Sequence, residues 1–229
     1  MRARMADWRR RYQLRQAPEG PLRHFLSTPF PRDDLPWDAV EYLALDFETT
    51  GFDAARHEVL SIGFVPIREA RVRLGEAVHL LVRPTRPIPP ETAVIHRLTD
   101  DQMALEGLPL AEALGRLLQA MAGRVILAHF APLERAFIHQ ASLQLYRVAP
   151  PLPMVDTMSL ALHALTKKNH PPKEGELRLA ALRERHGLPR YRAHNALSDA
   201  VATAELFLAQ MAHRGGPGEA IPLGRIVEW

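Results

Sequence analysis

The sequence contains no cysteine among its 229 residues, which excludes disulfide-stapled folds, thiolate zinc sites and cysteine nucleophiles. It also lacks any apolar run near the roughly 18 residues that a membrane-spanning helix needs. The N-terminus is rich in arginine and lacks the apolar core of a secretory signal. Hydrophobic residues make up 47% and charged residues 24% of the chain, which excludes a disordered or fibrous protein. We therefore expect a cytoplasmic protein with a substantial core and no membrane contact.

Positive charge is concentrated at the start of the chain. Residues 1–32 carry eight arginines against two acidic residues, whereas the remainder has a small acidic excess. With the proline-rich stretch 29–36, they form a predicted basic arm over residues 1–36. Such an arm can bind phosphates or an acidic partner, so nucleic acid, a polymerase or another protein are candidate partners. The alternative is a solvated amphipathic helix in a chain that favours arginine over lysine.

The rest of the sequence predicts an α/β domain over residues 37–213 and a C-terminal tail over residues 214–229. Apolar runs predict strands at 42–47, 59–67 and 71–82, with a tight reversal at Glu69 and Ala70. Beyond them, the patterns predict a helix at 110–121 that Gly123 ends and a strand at 125–128. Helical and strand patterns then alternate up to a final helix at 196–211. This order predicts a mixed sheet with helices on its faces.

Two carboxylates follow one another at the end of the first predicted strand. Asp46 and Glu48 are two residues apart, so their side chains project from the same face. Like charges gathered in this way are costly unless a cation joins them, and oxygen ligands suit Mg²⁺ or Mn²⁺. A pair of carboxylates of this kind is by itself weak evidence of a metal site.

A second group of polar residues precedes and opens the last predicted helix. His194 lies just before this helix and Asp199 lies in its first turn. The ring and the carboxylate can then face one cavity. Asp199 also has a simpler explanation, because a carboxylate in the first turn complements the helix dipole.

Both groups resemble motifs of the DnaQ-like, or DEDDh, 3′–5′ exonucleases, and the proofreading type most closely. Residues 45–51 (LDFETTG) resemble the first motif and residues 194–199 (HNALSD) the last. Between them, residues 86–91 and 95–100 resemble the loop after the third strand, and residues 155–157 a strand-to-helix junction. The resemblance covers about residues 42–210 and implies an RNase H-like fold.

The resemblance also implies a site with two ions, Mg²⁺ or Mn²⁺. Asp46 would bridge both ions, and Glu48 and Asp199 would complete the site of the ion that activates water. Glu134 would help to hold the other ion, and His194 would be the general base. The residues implied at the 3′-terminal nucleotide are Thr49, Thr50, Glu91 and His96.

The middle motif departs from the family pattern, His-Asn-Ala-x-Phe-Asp. Residues 129–134 read HFAPLE, so Phe130 replaces the Asn and Glu134 replaces the Asp. The extra methylene of Glu134 moves its carboxylate by about 1.5 Å. A misplacement of about 1 Å can cost roughly 100-fold in rate. The longer side chain either binds the second ion directly or weakens the site.

The resemblance therefore implies an exonuclease that releases nucleoside 5′-monophosphates from the 3′ ends of single-stranded nucleic acid, with DNA favoured. Two alternatives remain open. One is an exonuclease that trims RNA or short oligonucleotides. The other is a nucleic-acid-binding or regulatory module that is catalytically weakened through Glu134.

Overall fold

The computed structural model describes residues 2–90, 92–93, 99–167, 169–191, 194–214 and 220–229. The sheet strands are β1 (Tyr42–Thr49), β2 (Val59–Arg68), β3 (Arg71–Val72), β4 (Val78–Leu81), β5 (Val125–Ala128) and β6 (Met154–Asp156). The helices given for these residues are α1 (Arg2–Leu14), α2 (Pro21–Ser27), α3 (Asp100–Glu106), α4 (Leu110–Met121), α5 (Pro132–Tyr146), α6 (Thr157–Lys167), α7 (Leu179–Arg185) and α8 (Ala196–Arg214). Short 3-10 turns cover Trp37–Ala39, Leu74–Glu76 and Leu223–Arg225.

The six strands form one mixed sheet, as the sequence predicted. Strand β1 pairs antiparallel with β2 on one side and parallel with β5 on the other, and β5 pairs parallel with β6. The reversal after β2 is confirmed, since Glu69 and Ala70 have φ values of 52° and 53°. Left-handed backbone at two successive residues is typical of the tight hairpin turn that matches strand twist.

The single strand predicted over residues 71–82 is wrong. The chain forms the short strand β3, then the 3-10 turn Leu74–Glu76, and then β4, and both strands pair with the same edge of β2. Gly75 lies inside this turn. Glycine weakens a continuous strand, which is why the alternating apolar pattern did not produce one element.

The sheet separates two apolar layers. Leu43 and Leu45 of β1 face the layer formed with α2, α4 and α5. Tyr42 and Ala44 face the opposite layer, which contains Phe207 and its neighbours on α8. Because both faces of β1 are covered, its sequence is apolar almost throughout and its carboxylates lie only toward its C-terminal end.

The N-terminal segment contributes to the core, which the sequence did not predict. Leu22, Phe25 and Leu26 of α2 are at most 1% exposed and pack in the same layer as α4. Helix α1 is tied to α2 by Arg10, whose guanidinium donates hydrogen bonds to the Leu26 carbonyl and to Asp7. The boundaries at residues 36 and 213 stay predictions. None of the described helices is long and apolar enough to cross a membrane.

Candidate active site

Three carboxylates meet above the C-terminal half of β1. Asp46 and Glu48 come from the strand, and Asp199 comes from the first turn of α8. One oxygen from each residue lies within 4.8 Å of the others. The side chain of Glu48 is buried, and those of Asp46 and Asp199 are partly buried. The structure therefore brings the two carboxylates of β1 together with the carboxylate in the first turn of α8, as the sequence predicted.

Gly63 allows α8 to reach these carboxylates. It lies on β2 directly opposite Asp46. A Cβ atom at Gly63 would lie 2.1–2.3 Å from backbone atoms of Ala196 and Leu197, where α8 begins. Only a residue without a side chain lets the helix start this close to the sheet. Sequence analysis missed Gly63, although a glycine within an otherwise apolar strand is a signal of close backbone approach.

The loop before α8 is held by the carboxylate of Asp199, which lies in the first turn of that helix. The backbone N–H of His194 donates to Asp199 Oδ2 at 2.9 Å, and the backbone N–H of Ser198 donates to Asn195 Oδ1 at 3.0 Å. His194 adopts a left-handed backbone with φ of 69°, and the residue is exposed. The first bond holds residue 194 next to Asp199, and the charge of His194 lowers the pKa of that carboxyl.

Glu134 lies at the start of α5, where it is 1% exposed. It is outside the group of three carboxylates, yet its charge is the largest of those that raise the pKa of Asp46. Burial raises the pKa of Glu134 itself to about 8, and the charge of Asp156 also raises it. Its Oε2 atom accepts no hydrogen bond from the residues that the structure describes. A buried, unsatisfied carboxylate of this kind is suited to a cation.

Asp156 holds the turn that leads to Glu134. Its Oδ1 atom accepts the backbone N–H groups of Phe130 and Met158, both at 2.9 Å, and its Oδ2 atom accepts the Ser159 hydroxyl. The bond to Met158 caps the start of α6, while the bond to Phe130 fixes a left-handed residue with φ of 76°. The carboxylate therefore joins the starts of α5 and α6 and positions Glu134 indirectly.

The charges at this site favour a cation. Burial raises the pKa of Asp46 well above its usual range, and the charges of Glu134, Asp199 and Glu48 raise it further. Burial and the charge of Glu48 raise the pKa of Asp199, against the effect of its bond from His194. A divalent ion removes the repulsion that causes part of these shifts. The all-oxygen donor set therefore fits Mg²⁺ or Mn²⁺.

The raised pKa of Glu134 predicts how the stability of the metal-free protein depends on pH. Burial in the folded protein raises the pKa of this carboxyl from its ordinary value of 4.5 to about 8. The stability that this carboxyl contributes is fully present below its pKa in the unfolded chain and is lost as the pH rises through its pKa in the folded protein. In EDTA, we expect the Tm of the wild type to fall steadily relative to that of Glu134→Gln as the pH rises from about 5 to 8.

Addition of Mg²⁺ or Mn²⁺ should then raise the wild-type Tm more at the upper end of this pH range than at the lower end. The variant should gain less, because it lacks one of the four carboxylates. The measurement is differential scanning fluorimetry across the pH series. A wild type that gains stability relative to Glu134→Gln as the pH rises in EDTA would contradict the assignment of a buried, protonated carboxyl.

Two of the four residues predicted to contact the substrate lie in the part of the chain that the structure describes. The Thr49 hydroxyl donates to the Gly51 carbonyl at 2.8 Å, and the Thr50 hydroxyl accepts the Glu58 backbone N–H at 2.9 Å, so both shape the loop after β1. Glu91 and His96 lie outside the described residues. Phe52, on the same loop, is 86% exposed and is not part of the core.

Comparisons with known proteins show the family to which the matched segment belongs. An exonuclease family model, RNase_T, matches residues 43–207. The DNA polymerase III subunit epsilon-like protein of Rhodobacter capsulatus is 34% identical over 179 residues, covering 76% of this chain and 24% of that protein. The DNA polymerase III subunit epsilon of Treponema pallidum is 31% identical over 177 residues, covering 76% of this chain and 78% of that protein. This chain thus spans about a quarter of the length of the Rhodobacter relative.

A solved structure shows the same fold. Exonuclease X, in complex with 5′ overhanging duplex DNA, superimposes with a TM-score of 0.60 at 23% identity, over 80% of this chain and 98% of that one. The RNase H-like fold implied by the two motifs is therefore confirmed.

Proposed function

The chain belongs to the exonuclease family that matches its residues 43–207, and from this we propose that it is a divalent-metal-dependent 3′–5′ exonuclease of single-stranded nucleic acid, with DNA favoured over RNA. The observation that carries the proposal is the meeting of Asp46, Glu48 and Asp199 from two distant parts of the sequence. We assign the activity to the predicted domain over residues 37–213.

The four carboxylates are the groups that would hold the metal. The charges of the other three all raise the pKa of Asp46, so Asp46 is the carboxylate that would share bound metal with each of them, and Glu134 is supplied by the first turn of α5. When bound, two divalent ions stabilise the attacking and leaving oxygens of an in-line displacement at phosphorus. Burial of Glu48 and Glu134 keeps water away from one side of these ligands.

His194 is the proposed general base. Its exposed imidazole would accept the proton of the attacking water at a ring nitrogen. The bond from its backbone N–H to Asp199 Oδ2 holds residue 194 next to this carboxylate. The product is a nucleoside 5′-monophosphate.

Substrate contacts are proposed for the rim of the site. Thr49 and Thr50 shape the loop that would receive the 3′-terminal nucleotide, and Glu91 and His96 are proposed contacts on the basis of the family motifs. The exposed ring of Phe52 offers a surface on which a terminal base can stack. The names of the Rhodobacter and Treponema relatives support DNA as the substrate and a polymerase as a protein partner.

Digestion of 5′-labelled single-stranded DNA and RNA of one sequence tests the proposal. We expect a ladder that shortens from the 3′ end with Mg²⁺ or Mn²⁺ and not with EDTA, and faster cleavage of DNA. Faster cleavage of RNA would instead favour the RNA-trimming alternative. No cleavage with either metal would favour the alternative of a module weakened at Glu134.

A further inference from the structure

Helix α1 presents an aromatic ridge to solvent, outside the segment that matches the exonuclease family. Trp8 and Tyr12 are 66% and 51% exposed, and Met5, one turn before Trp8, is 60% exposed. The two rings are nearly parallel, with an interplanar angle of 13° and centroids 5.7 Å apart. At 3.6 residues per turn, the three side chains lie within about 60° of one another around the helix.

Arginines lie on both flanks of this ridge. From the same helical geometry, Arg4 and Arg11 lie on one flank and Arg2 and Arg9 on the other. Arg15, just beyond the helix, continues the first flank. Arg2, Arg4, Arg9 and Arg15 form no ion pair with any residue that the structure describes, and all five arginines are exposed.

The opposite face of α1 holds the ridge in place. Ala6 and Arg10 are buried, and the Arg10 guanidinium binds the Leu26 carbonyl and the Asp7 carboxylate. Asp7, the only acidic residue of α1, is also paired with Arg11 at 2.8 Å. The single negative charge of the helix is therefore neutralised internally, and the outward face is left with aromatic rings between cationic rows.

We propose that the outward face of α1 is a second binding site for single-stranded nucleic acid, separate from the carboxylate site. Bases stack on Trp8 and Tyr12, because every base has a π-face, and phosphates lie against the flanking arginines. The site holds a part of the strand away from the 3′ end, which raises the affinity for long strands over short ones. The choice of a nucleic acid over a protein or a membrane rests on the proposed exonuclease function.

The test is the binding of a fluorescein-labelled oligothymidylate of about 20 nucleotides, followed by anisotropy in EDTA so that no hydrolysis occurs. We expect Trp8→Ala/Tyr12→Ala to weaken binding by about tenfold or more, since loss of one stacked base costs about five- to 150-fold. Arg4→Gln/Arg9→Gln should weaken it as well and reduce its dependence on salt. Leu105→Ala is the matched control, because Leu105 is an apolar side chain of α3 that is 83% exposed, and it should bind as the wild type does.

The same variants separate this proposal from the proposed function. Cleavage of a 5′-labelled tetranucleotide with Mn²⁺ should be unchanged in Trp8→Ala/Tyr12→Ala, since so short a strand does not need the second site. Binding in EDTA is measured whether or not the protein cleaves, so a failed exonuclease assay leaves this test intact. Wild-type affinity of the aromatic double variant for the long oligonucleotide would overturn the second site. The second site would also be overturned if α1 bound anionic vesicles and did not bind the oligonucleotide.

Discussion

Replacement of Asp46 by Asn should lower the rate of 3′-end hydrolysis by about 1,000-fold or more. The charges of Glu134, Asp199 and Glu48 all act on this carboxylate, and we propose that it binds the metal ions. Loss of several kcal/mol of transition-state charge stabilisation corresponds to a loss of this size, at tenfold per 1.4 kcal/mol. The amide keeps the size and shape of the side chain, so the fold should remain intact. The measurement is single-turnover cleavage of a 5′-labelled strand with saturating Mn²⁺.

The same substitution should increase the thermal stability of the metal-free protein, although it lowers the cleavage rate. Asn carries no charge beside the remaining carboxylates, so Asp46→Asn in EDTA should melt at a higher temperature than the wild type at pH 8, and Mn²⁺ should stabilise it less. Asp38→Asn is the matched control, because Asp38 is exposed and precedes the other end of β1. Cleavage by purified Asp46→Asn at the wild-type rate would show that this site is not the one that hydrolyses the strand.

Gly63→Ala should also remove most of the activity, although residue 63 contacts no substrate. Its Cβ atom would meet the backbone of Ala196 and Leu197 at 2.1–2.3 Å, so β2 and α8 must move apart. This movement displaces Asp199 and His194, and a displacement of about 1 Å can cost roughly 100-fold in rate. We also expect a lower Tm, because overpacking typically costs about 1–3 kcal/mol. Cleavage rate and thermal melting are measured on the same preparations.

The matched control for this prediction is Gly75→Ala. No atom lies within 4 Å of a Cβ atom built at Gly75, so the same change of residue there meets open space. It should retain the wild-type rate and Tm. If Gly63→Ala kept full activity and folded normally, the close approach of α8 to β2 would not be needed to place Asp199.

Local sequence patterns predicted much of the secondary structure of the domain. The helix over residues 110–121 and the strand over residues 125–128 have the predicted bounds. They depend on apolar periodicity and on a left-handed glycine at position 123, with φ of 75°, which are properties of neighbouring residues. The pairing of Asp46 with Glu48 on one face of a strand followed from the two-residue strand repeat in the same way.

The sequence by itself therefore determined the α/β class, the family motifs and the identity of the carboxylates. Only the tertiary structure showed that Gly63 admits the start of α8, that Asp156 fixes the turn before Glu134, and that α2 packs into the core. It also decided that Glu134 is buried and that its charge raises the pKa of Asp46. These features depend on contacts between residues far apart in the chain, whereas periodicity and spacing report only on near neighbours.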